Sequence, residues 1–497
     1  MPTHAAAARP AQPGASRAAS RAARPGRRLR LFHFDIKTYG NYGDTLLFEA
    51  VRETFEGFAG GACFEVAGSR SLRDPVGPKL VDHINEHFDA VVVGGGGLFL
   101  RDTNANARSG WQWNISLEQL RRLEVPIVVF AVGNNRFIDQ EDFAEPFREH
   151  LNLTLDKSVF FGLRNHGSVR TIREYVDHDP ERVTYQPCPT TISSYLFPDL
   201  YREQLDTGDG KVLAVESIIG KRQVAAGFDR DRVYADQADV LARLKGEGWR
   251  LVSVPHARAD MTFHELLAER GLVDDARVLW GRRDVLFTGL EALADLPVIL
   301  GTRGHAQMVP FGMGAIPLSL YVHHKTRYFA TDIGHAEWAL DPRAETFTDD
   351  LYRTVHDVTE RQAALRDELA VTRRGLYDTT LANLATIYER LAGVAVAPSF
   401  TPLTPKERRL AARTYDAALE KAKAEERLRT KDRELGAKDR ELGVKERELG
   451  AKDAQIRSLG SDLQQVRATL RAVRESVPQG SVVRRAARRA RRLVRPR

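Results

Sequence analysis

The sequence is poor in cysteine. Cys63 and Cys188 are the only two among 497 residues, and neither has a second cysteine nearby. The spacing of a zinc ribbon or a redox motif is therefore absent, and two cysteines in a chain this long argue against a disulfide framework. The scarcity favours a reducing compartment and predicts a cytoplasmic protein. HExxH, P-loop and GxSxG motifs are also missing, and the adjacent His323 and His324 do not suit one metal ion, so no metal or cofactor site is predicted.

The chain also lacks long apolar runs. None approaches the roughly 20 residues that a membrane span needs. Residues 1–29 have no apolar core of a secretory signal. Their Ala, Arg and Pro composition predicts a disordered basic leader, with an organellar transit peptide as the alternative.

Acidic residues are absent from both ends of the chain. Residues 1–30 contain seven arginines and residues 484–497 contain eight. Removing these fifteen charges from the formal net charge of +7 leaves −8 for residues 31–483. The folded part is therefore mildly acidic, and we expect no specific nucleic acid partner. The basic tail, residues 479–497, is predicted to lie on an anionic membrane surface or to be disordered.

Short β-branched runs alternate with helical patterns after the leader. Most runs stop at a glycine or a polar residue, which is typical of parallel sheets. The pattern predicts an N-terminal Rossmann-like domain over residues 30–205. Its predicted strands are Leu29–Ile36, Ala90–Val93, Ile127–Val132 and Phe160–Leu163.

The alternation begins again after a polar stretch, Asp206–Lys211. It predicts a second Rossmann-like domain over residues 211–345, so the predicted fold class is α/β with two Rossmann-like halves. Ligands of such folds bind beyond the carboxyl ends of the strands, and here also between the halves. The predicted strands are Val212–Val215, Arg250–Val254, Val278–Trp280, Val298–Leu300 and Ile316–Leu320.

Helical patterns fill the rest of the chain. Residues 346–398 are predicted to brace the two halves, and residues 404–478 to form a long helix with a coiled coil. A second apolar series, Leu459, Val466 and Val473, supports the coiled coil in its later half. Glycines weaken the earlier half by about 1 kcal/mol each, so a solvated single helix is the alternative there. The heptad positions are Leu428, Leu435, Leu442, Leu449, Ile456, Leu463 and Leu470.

Candidate ligand-binding loops follow three predicted strands. The turn Asn41–Asp44 (NYGD) precedes a helix, whose N-terminus favours anions; an N-cap is the alternative role for Asp44. The run Gly94–Gly97 suits close approach of a phosphate or sugar, or tight packing. Arg164 stands at a strand end, where its planar fork suits a carboxylate or phosphate, with a surface salt bridge as the alternative.

The segment Gly301–His305 (GTRGH) carries the strongest signal. A β-branched strand delivers Arg303 and His305 to the expected cleft, one suited to hold charge and the other to move a proton. Lys325 follows the next strand and is predicted to reach the cleft rim.

In their order along the chain, these segments resemble the polysaccharide pyruvyl transferase family, over roughly residues 31–345. Two positions differ from the family's usual pattern: Gly304 replaces a bulky residue, and Asn165 replaces an acidic one. The resembling segments are Asn41–Asp44 (NYGD), Val91–Phe99 (VVVGGGGLF), Ala131–Asn134 (AVGN), Gly162–Ser168 (GLRNHGS), Gly301–His305 (GTRGH), Tyr321–Phe329 (YVHHKTRYF) and Asp332–Gly334 (DIG).

The resemblance implies a GT-B-like fold and the transfer of pyruvate from phosphoenolpyruvate to two sugar hydroxyls as a ketal. Arg and Lys would neutralise the donor's carboxylate and phosphate, and an acid must protonate its C3. We therefore assign His305 as general acid/base, Arg303 and Arg164 as donor clamps, and Lys325 to the departing phosphate. The residues predicted to bind substrate are Asn41, Gly43, Asp44, Gly95, Gly96, Gly97 and Asn134.

Two alternatives stay open. A GT-B glycosyltransferase that uses a nucleotide sugar would need a ribose-binding carboxylate, for which Glu291 is the candidate. A scaffold would use the coiled coil as its working part. The expected partners of the transferase are phosphoenolpyruvate and a cell-surface polysaccharide or its lipid-linked precursor. A homo-oligomer formed by the coiled coil, held peripherally at the inner face of the plasma membrane by the basic tail, is the predicted arrangement.

Overall fold

The computed structural model describes residues 27–38, 40–101, 108–202, 211–280 and 285–476, together with residues 486 and 489. The predicted leader and basic tail lie almost wholly outside these residues. The chain divides into two compact units, one ending at Arg413 and the other beginning at Thr414. Both Rossmann-like domains belong to the first unit.

The N-terminal domain is built on a six-stranded sheet in the order β2-β1-β3-β4-β5-β6, with every neighbouring pair parallel. Helices cover it, so its central strands read as continuous apolar runs. The strand order reverses between β1 and β3. The elements are β1 (Leu29–Asp35), α1 (Tyr42–Gly57), β2 (Phe64–Ser71), α2 (Pro78–His87), β3 (Ala90–Phe99), α3 (Leu117–Arg122), β4 (Ile127–Asn134), α4 (Pro146–Lys157), β5 (Ser158–Leu163), α5 (His166–Arg173), β6 (Val183–Tyr185) and α6 (Ser193–Leu196).

The second domain repeats this plan with the order β12-β11-β10-β7-β8-β9, again all parallel. Its order reverses between β7 and β10. Two Rossmann-like halves are therefore confirmed. The elements are β7 (Val212–Val215), α7 (Lys221–Ala225), α8 (Arg230–Gly246), β8 (Arg250–Ser253), α9 (Met261–Glu269), β9 (Asp275–Ala276), α10 (Val285–Leu293), β10 (Val298–Gly301), α11 (His305–Gly312), β11 (Ile316–Leu320), α12 (His324–Asp332) and β12 (Ala339–Leu340).

Three helices complete the chain: α13 (Phe347–Glu360), α14 (Gln362–Ala392) and α15 (Pro405–Ser476). The first turns of α15 are anchored in the first unit, because the buried Arg408 pairs with Asp199 at 2.9 Å and with Glu53 of α1 at 3.7 Å. Beyond them the helix is continuous, and its apolar heptad side chains are each more than half exposed in the single chain.

Two strand predictions are wrong. The glycine run does not end β3, which continues through it to Phe99. A Cβ at Gly94 would lie 1.9 Å from the Phe130 carbonyl oxygen, and one at Gly96 would lie 2.6 Å from Ile36. Packing against neighbouring backbone and side chains thus requires these glycines. The predicted strand Val278–Trp280 is replaced by β9. The Leu279 amide still donates to the Pro255 carbonyl at 2.9 Å, but Pro255 has no amide to return a bond, so the paired strand ends at Ala276.

Candidate functional site

A pocket lies where the strand orders of both sheets reverse. Ligands of open α/β sheets bind at such points, beyond the carboxyl ends of the strands. Here two of them share one cavity of about 160 Å³. The lining residues are Ile36, Asn41, Asp44, Arg73, Gly97, Gln112, Asn135, Arg164, Arg303, Gly304, His305 and Lys325.

Four helices begin at this pocket. Pocket-lining residues lie within the first turn of α1, α11 and α12, and Arg164 directly precedes the N-cap of α5. The N-terminus of a helix carries free amide groups and a partial positive charge. The backbone therefore adds to the positive potential of the side chains.

Arg164 is a buried cation without a protein partner. Its residue is 5% exposed, and within the described part of the chain its guanidinium makes no hydrogen bond or ion pair. Gly133 of β4 lies flat beneath it, since a Cβ there would be 2.2 Å from the Arg164 Nε. Burial lowers the pKa of Arg164. A buried unpaired charge is costly to the fold, so an anion is the partner that this position lacks.

Arg303 is held in the opposite way. Its Nε and Nη2 donate to both oxygens of Asp260 at 2.6 to 3.0 Å. Glu216, at the end of β7, lies 3.4 Å from Nε and accepts the backbone amides of Thr302 and Arg303. Burial and the charge of Asp260 raise the pKa of Glu216 to about 7. The charge of Arg303 is thus matched within its own domain.

His305 opens α11 and packs against the first turn of α1. A Cβ at Gly43 would lie 2.3 Å from the His305 Cβ, so only glycine fits there. The imidazole Nδ1 lies 3.7 Å from Asp44 Oδ1, and Nε2 lies 4.0 Å from the Cys188 thiol. Burial, then the positive charges of Arg164 and Lys325, lower the pKa of His305 well below its ordinary value. The ring is therefore neutral in the free protein.

Lys325 lies in the first turn of α12, where His323 is the N-cap. Its Nζ donates to Asn135 Oδ1 at 3.2 Å, across the cleft between the domains. Burial, then the charges of Arg164 and Arg303, lower the pKa of Lys325 to about 7. This ammonium therefore gains or loses its proton near neutral pH.

The backbone of α1 joins the two domains beside the pocket. The Tyr42 amide donates to the His256 carbonyl at 2.9 Å, and its hydroxyl donates to the Leu286 carbonyl at 3.0 Å. Asn41 and Ala257 form an antiparallel bridge. These contacts fix Asp44 of one domain close to His305 of the other.

The structure gathers most of the predicted site residues, and their binding roles stay predictions. Arg164, Arg303, His305 and Lys325 all line the pocket, with Asn41, Asp44 and Gly97. The N-cap of α1 is Asn41, whose side chain accepts the Gly43 amide, so Asp44 is not the cap.

Four predicted residues do not line the pocket. Gly43 lies beneath His305, and Gly95 and Gly96 face Leu47 and Ile36 in the core. Asn134 points toward α5, where its side chain donates to Thr171 at 3.0 Å. Side chains alternate along a strand, so the next residue, Asn135, faces the pocket instead.

Three polar residues that line the pocket were not predicted: Arg73, Gln112 and Asn135. Arg73 follows β2, a strand that was not predicted either, and its Nε donates to Gln112 at 3.1 Å. The two carboxylates behind Arg303 were missed as well. Glu216 could have been predicted, because it directly follows the predicted strand Val212–Val215 and so lies at the carboxyl end of a parallel strand. Within the described residues, no three His, Cys, Asp or Glu side chains form a group that could hold a metal ion.

Comparison with known proteins gives a family. The family model described as polysaccharide pyruvyl transferase matches residues 41–314, more than half of the chain. No curated protein matches the sequence.

The chain also matches solved structures that are remote in sequence. MnaA from S. aureus, in a co-structure with UDP, is 14% identical with a TM-score of 0.44, covering 69% of this chain and 91% of its own. UDP-N-acetylglucosamine 2-epimerase from Rickettsia bellii is 14% identical (TM-score 0.41; 73% and 99%). A glycosyltransferase from Rickettsia africae is 9% identical (TM-score 0.44; 73% and 98%).

Proposed function

Since the chain belongs to the polysaccharide pyruvyl transferase family, we propose that it transfers pyruvate from phosphoenolpyruvate to two hydroxyls of a sugar, forming a ketal. The observation that carries this proposal is the buried Arg164, a cation that lines the pocket and makes no hydrogen bond or ion pair with the described residues. A small, multiply charged anion supplies what it lacks.

The donor has two anionic ends, and the pocket has cations for both. Arg164 and Arg73 come from the N-terminal domain, and neither makes an ion pair within the described chain. Their planar guanidinium groups suit bidentate contact with a carboxylate or phosphate. Lys325, from the other domain, is a point charge suited to the phosphate that departs. The cavity has a volume of about 160 Å³. A protein cavity of about 150 Å³ can hold a molecule as large as benzene, so this one suits a small donor.

The reaction needs a proton at C3 of the donor. In the free protein the surrounding cations keep His305 neutral. A bound trianion offsets these cations and raises the pKa of the imidazole, so the acid forms when the donor is present. His305 then protonates C3 while a sugar hydroxyl attacks C2. Displacement of phosphate by the second hydroxyl completes the ketal.

A nucleotide-sugar donor lacks support at the pocket. Glu291, the carboxylate considered for a ribose, is exposed on α10 and does not line the cavity. The glycosyltransferase alternative therefore serves as the competing outcome of the test.

The test measures phosphate release by the full chain with phosphoenolpyruvate and a panel of glycosides, alongside nucleotide release with nucleotide sugars. We expect phosphate release that depends on the glycoside, and a product whose methyl group gains one deuterium in D2O. His305→Ala should abolish both signals. Release of nucleotide from a sugar donor, without phosphate from phosphoenolpyruvate, would overturn the proposal.

We further propose that the acceptor is a cell-surface polysaccharide or its lipid-linked precursor, met at the inner face of the plasma membrane. No helix in the described residues is long and apolar enough to cross a membrane. The arginines of the tail would attract anionic lipid, each contributing about 1 kcal/mol. Sedimentation with anionic vesicles at low salt should retain the full chain and lose a variant whose tail arginines are glutamine. Equal binding of both would contradict the tail's role.

The exposed heptad side chains of α15 suit a second copy of the chain. Leu463 is 54% exposed and Leu470 63% exposed, and a partner helix in register would bury both. Light scattering of the full chain should show an oligomer. The double variant Leu463→Asp/Leu470→Asp should dissociate to a monomer. The control, Ser461→Asp, changes a different heptad position. A monomeric wild type would contradict the proposal.

A further inference from the structure

Asp44 lines the pocket without capping a helix. It lies in the first turn of α1, where an acidic group favours the helix dipole, but the capping bond is made by Asn41. Its carboxylate makes no hydrogen bond within the described chain and lines the cavity, with its side chain 19% exposed. An acidic group also opposes the binding of an anionic donor. The helix dipole does not require this carboxylate to face the cavity, so its place there calls for a further role.

The nearest titratable atom to this carboxylate is the imidazole Nδ1 of His305, 3.7 Å away. The other ring nitrogen, Nε2, faces the buried Cys188, so Nδ1 is the nitrogen on the side of Asp44. The separation is too long for a hydrogen bond, but catalytic contacts are often long before substrate binds. The pair spans the two domains and is held by the bridge at Asn41.

We infer that Asp44 is a catalytic residue: it takes the proton from the attacking sugar hydroxyl and passes it to His305. This inference rests on the proposed function and adds the base that the reaction needs. A hydroxyl that attacks C2 bonds to the carbon next to the one that His305 protonates, so a carboxylate beside this imidazole is within reach of the hydroxyl proton. Asp44 is the one acidic side chain among the pocket-lining residues of the described chain.

The proton balance closes with these two residues. In the first step the hydroxyl oxygen bonds to C2, its proton goes to Asp44, and His305 gives its proton to C3. Transfer from Asp44 to His305 then restores the pair. In the second step the other hydroxyl bonds to C2, the bond from C2 to the phosphate oxygen breaks, and its electron pair leaves with phosphate. The second hydroxyl proton leaves through Asp44 and ends on phosphate. One proton is thus on C3 and one on phosphate.

The surroundings support a carboxylate that exchanges a proton. Burial raises the pKa of Asp44, while nearby cations lower it in part. The charged or titratable groups that face the pair are Arg73, Arg164, Arg303, Lys325, His256 and Cys188.

The experiment compares Asp44→Asn with Asp44→Glu in the full chain. We expect Asp44→Asn to lower kcat by about 10²–10⁴-fold, the usual contribution of a general base, and to bind phosphoenolpyruvate as tightly as the wild type or more tightly. The limb of the pH profile of kcat that reports the base should disappear, and Asp44→Glu should restore part of the rate. The control, Asp231→Asn, removes an exposed carboxylate from the first turn of α8 and should change nothing.

The outcomes separate the inference from the proposed function. If the wild type turns over phosphoenolpyruvate and Asp44→Asn keeps its kcat and pH profile, Asp44 is not the base. If Asp44→Asn loses donor binding and melts early, the residue is structural and the inference is equally overturned. If the wild type releases no phosphate from phosphoenolpyruvate with any glycoside, the proposed function itself fails.

Discussion

The two Rossmann-like domains contribute cations to one pocket but treat them differently. The N-terminal domain buries Arg164 over Gly133, and no carboxylate of the described residues forms an ion pair with it. The second domain ties Arg303 to Asp260 and Glu216. A cation that is paired within the protein holds the surrounding backbone in place. A cation without such a pair is free to form its ion pair with a ligand. Burial alone therefore does not identify a ligand-binding residue. The presence or absence of a protein counter-ion distinguishes a structural cation from a ligand-binding one.

The largest expected effect is on stability, from the paired cation. Arg303→Gln leaves Asp260 and Glu216 buried together without their cation. We expect a loss of about 3–5 kcal/mol in the free energy of unfolding, as for other broken buried pairs. Urea denaturation measures it. Adding Glu216→Gln should recover part of the stability, because one of the two carboxylates is then neutral. Equal stability of Arg303→Gln and Arg164→Gln would remove the contrast between the domains.

The next effect is on activity, from the unpaired cation. Arg164→Gln should lower kcat/KM for phosphoenolpyruvate about 100-fold, equivalent to about 2.7 kcal/mol, because charge-assisted bonds to the donor are lost. Its melting temperature should stay the same or rise, since an unpaired buried charge is removed. Gly133→Ala should reproduce the activity loss by displacing the guanidinium. Arg121→Gln, on the surface, is the control; a stability loss in Arg164→Gln would show a structural role.

A smaller effect concerns the pH dependence of donor binding. Lys325, with its pKa lowered to about 7, is charged below that pH and neutral above it. KM for phosphoenolpyruvate should therefore rise above pH 7, by at most about tenfold per pH unit for one linked proton. Lys325→Arg keeps its charge and should flatten this rise. Initial rates between pH 6 and 9 give KM for the wild type and for Lys325→Arg. The same pH dependence of KM in both would exclude Lys325 as the titrating group.

The smallest effect is expected at Gly304. Its backbone is helical, with φ −56°, and an added Cβ would meet Lys325 at an ordinary 3.6 Å. Gly304→Ala should therefore stabilise the fold by about 0.4–1 kcal/mol through the unfolded chain. The melting temperature measures this. Gly43→Ala, where the Cβ would meet His305 at 2.3 Å, should instead destabilise. Similar behaviour of the two variants would contradict the packing described for His305.

The sequence was sufficient to predict the pocket residues that directly follow apolar strands. Arg164 and Arg303 follow buried runs, and such positions meet at one edge of a parallel sheet. Arg73 was not predicted because the strand before it, β2 (FEVAGSRS), has little hydrophobic character and is only half-buried along most of its length. Asn134 was predicted as part of the AVGN segment, whereas Asn135 lines the pocket, because the direction of each side chain depends on the alternation along β4. Pairing between distant residues, such as Arg303 with Asp260, leaves no local pattern to detect.

The glycine run shows a second limit. Four glycines predict a close approach, and the structure has one, but the approaching groups are Phe130 and Ile36 rather than a ligand. Sequence indicates that space is needed without indicating what fills it. The same holds for His305, whose close neighbour Gly43 lies 262 positions earlier in the chain.

The anchoring of Arg408 determines where the enzyme can be shortened. The helix α15 starts at Pro405, yet its first turns neutralise Glu53, whose pKa burial raises to about 7. A chain cut before α15 would strip this cation from the same helix, α1, that presents Asp44 to the pocket. Loss of activity on such a cut would be misread as evidence that the later part of α15 takes part in catalysis. The boundary between the two compact units lies inside α15, after Arg413, so a variant that ends there keeps Arg408.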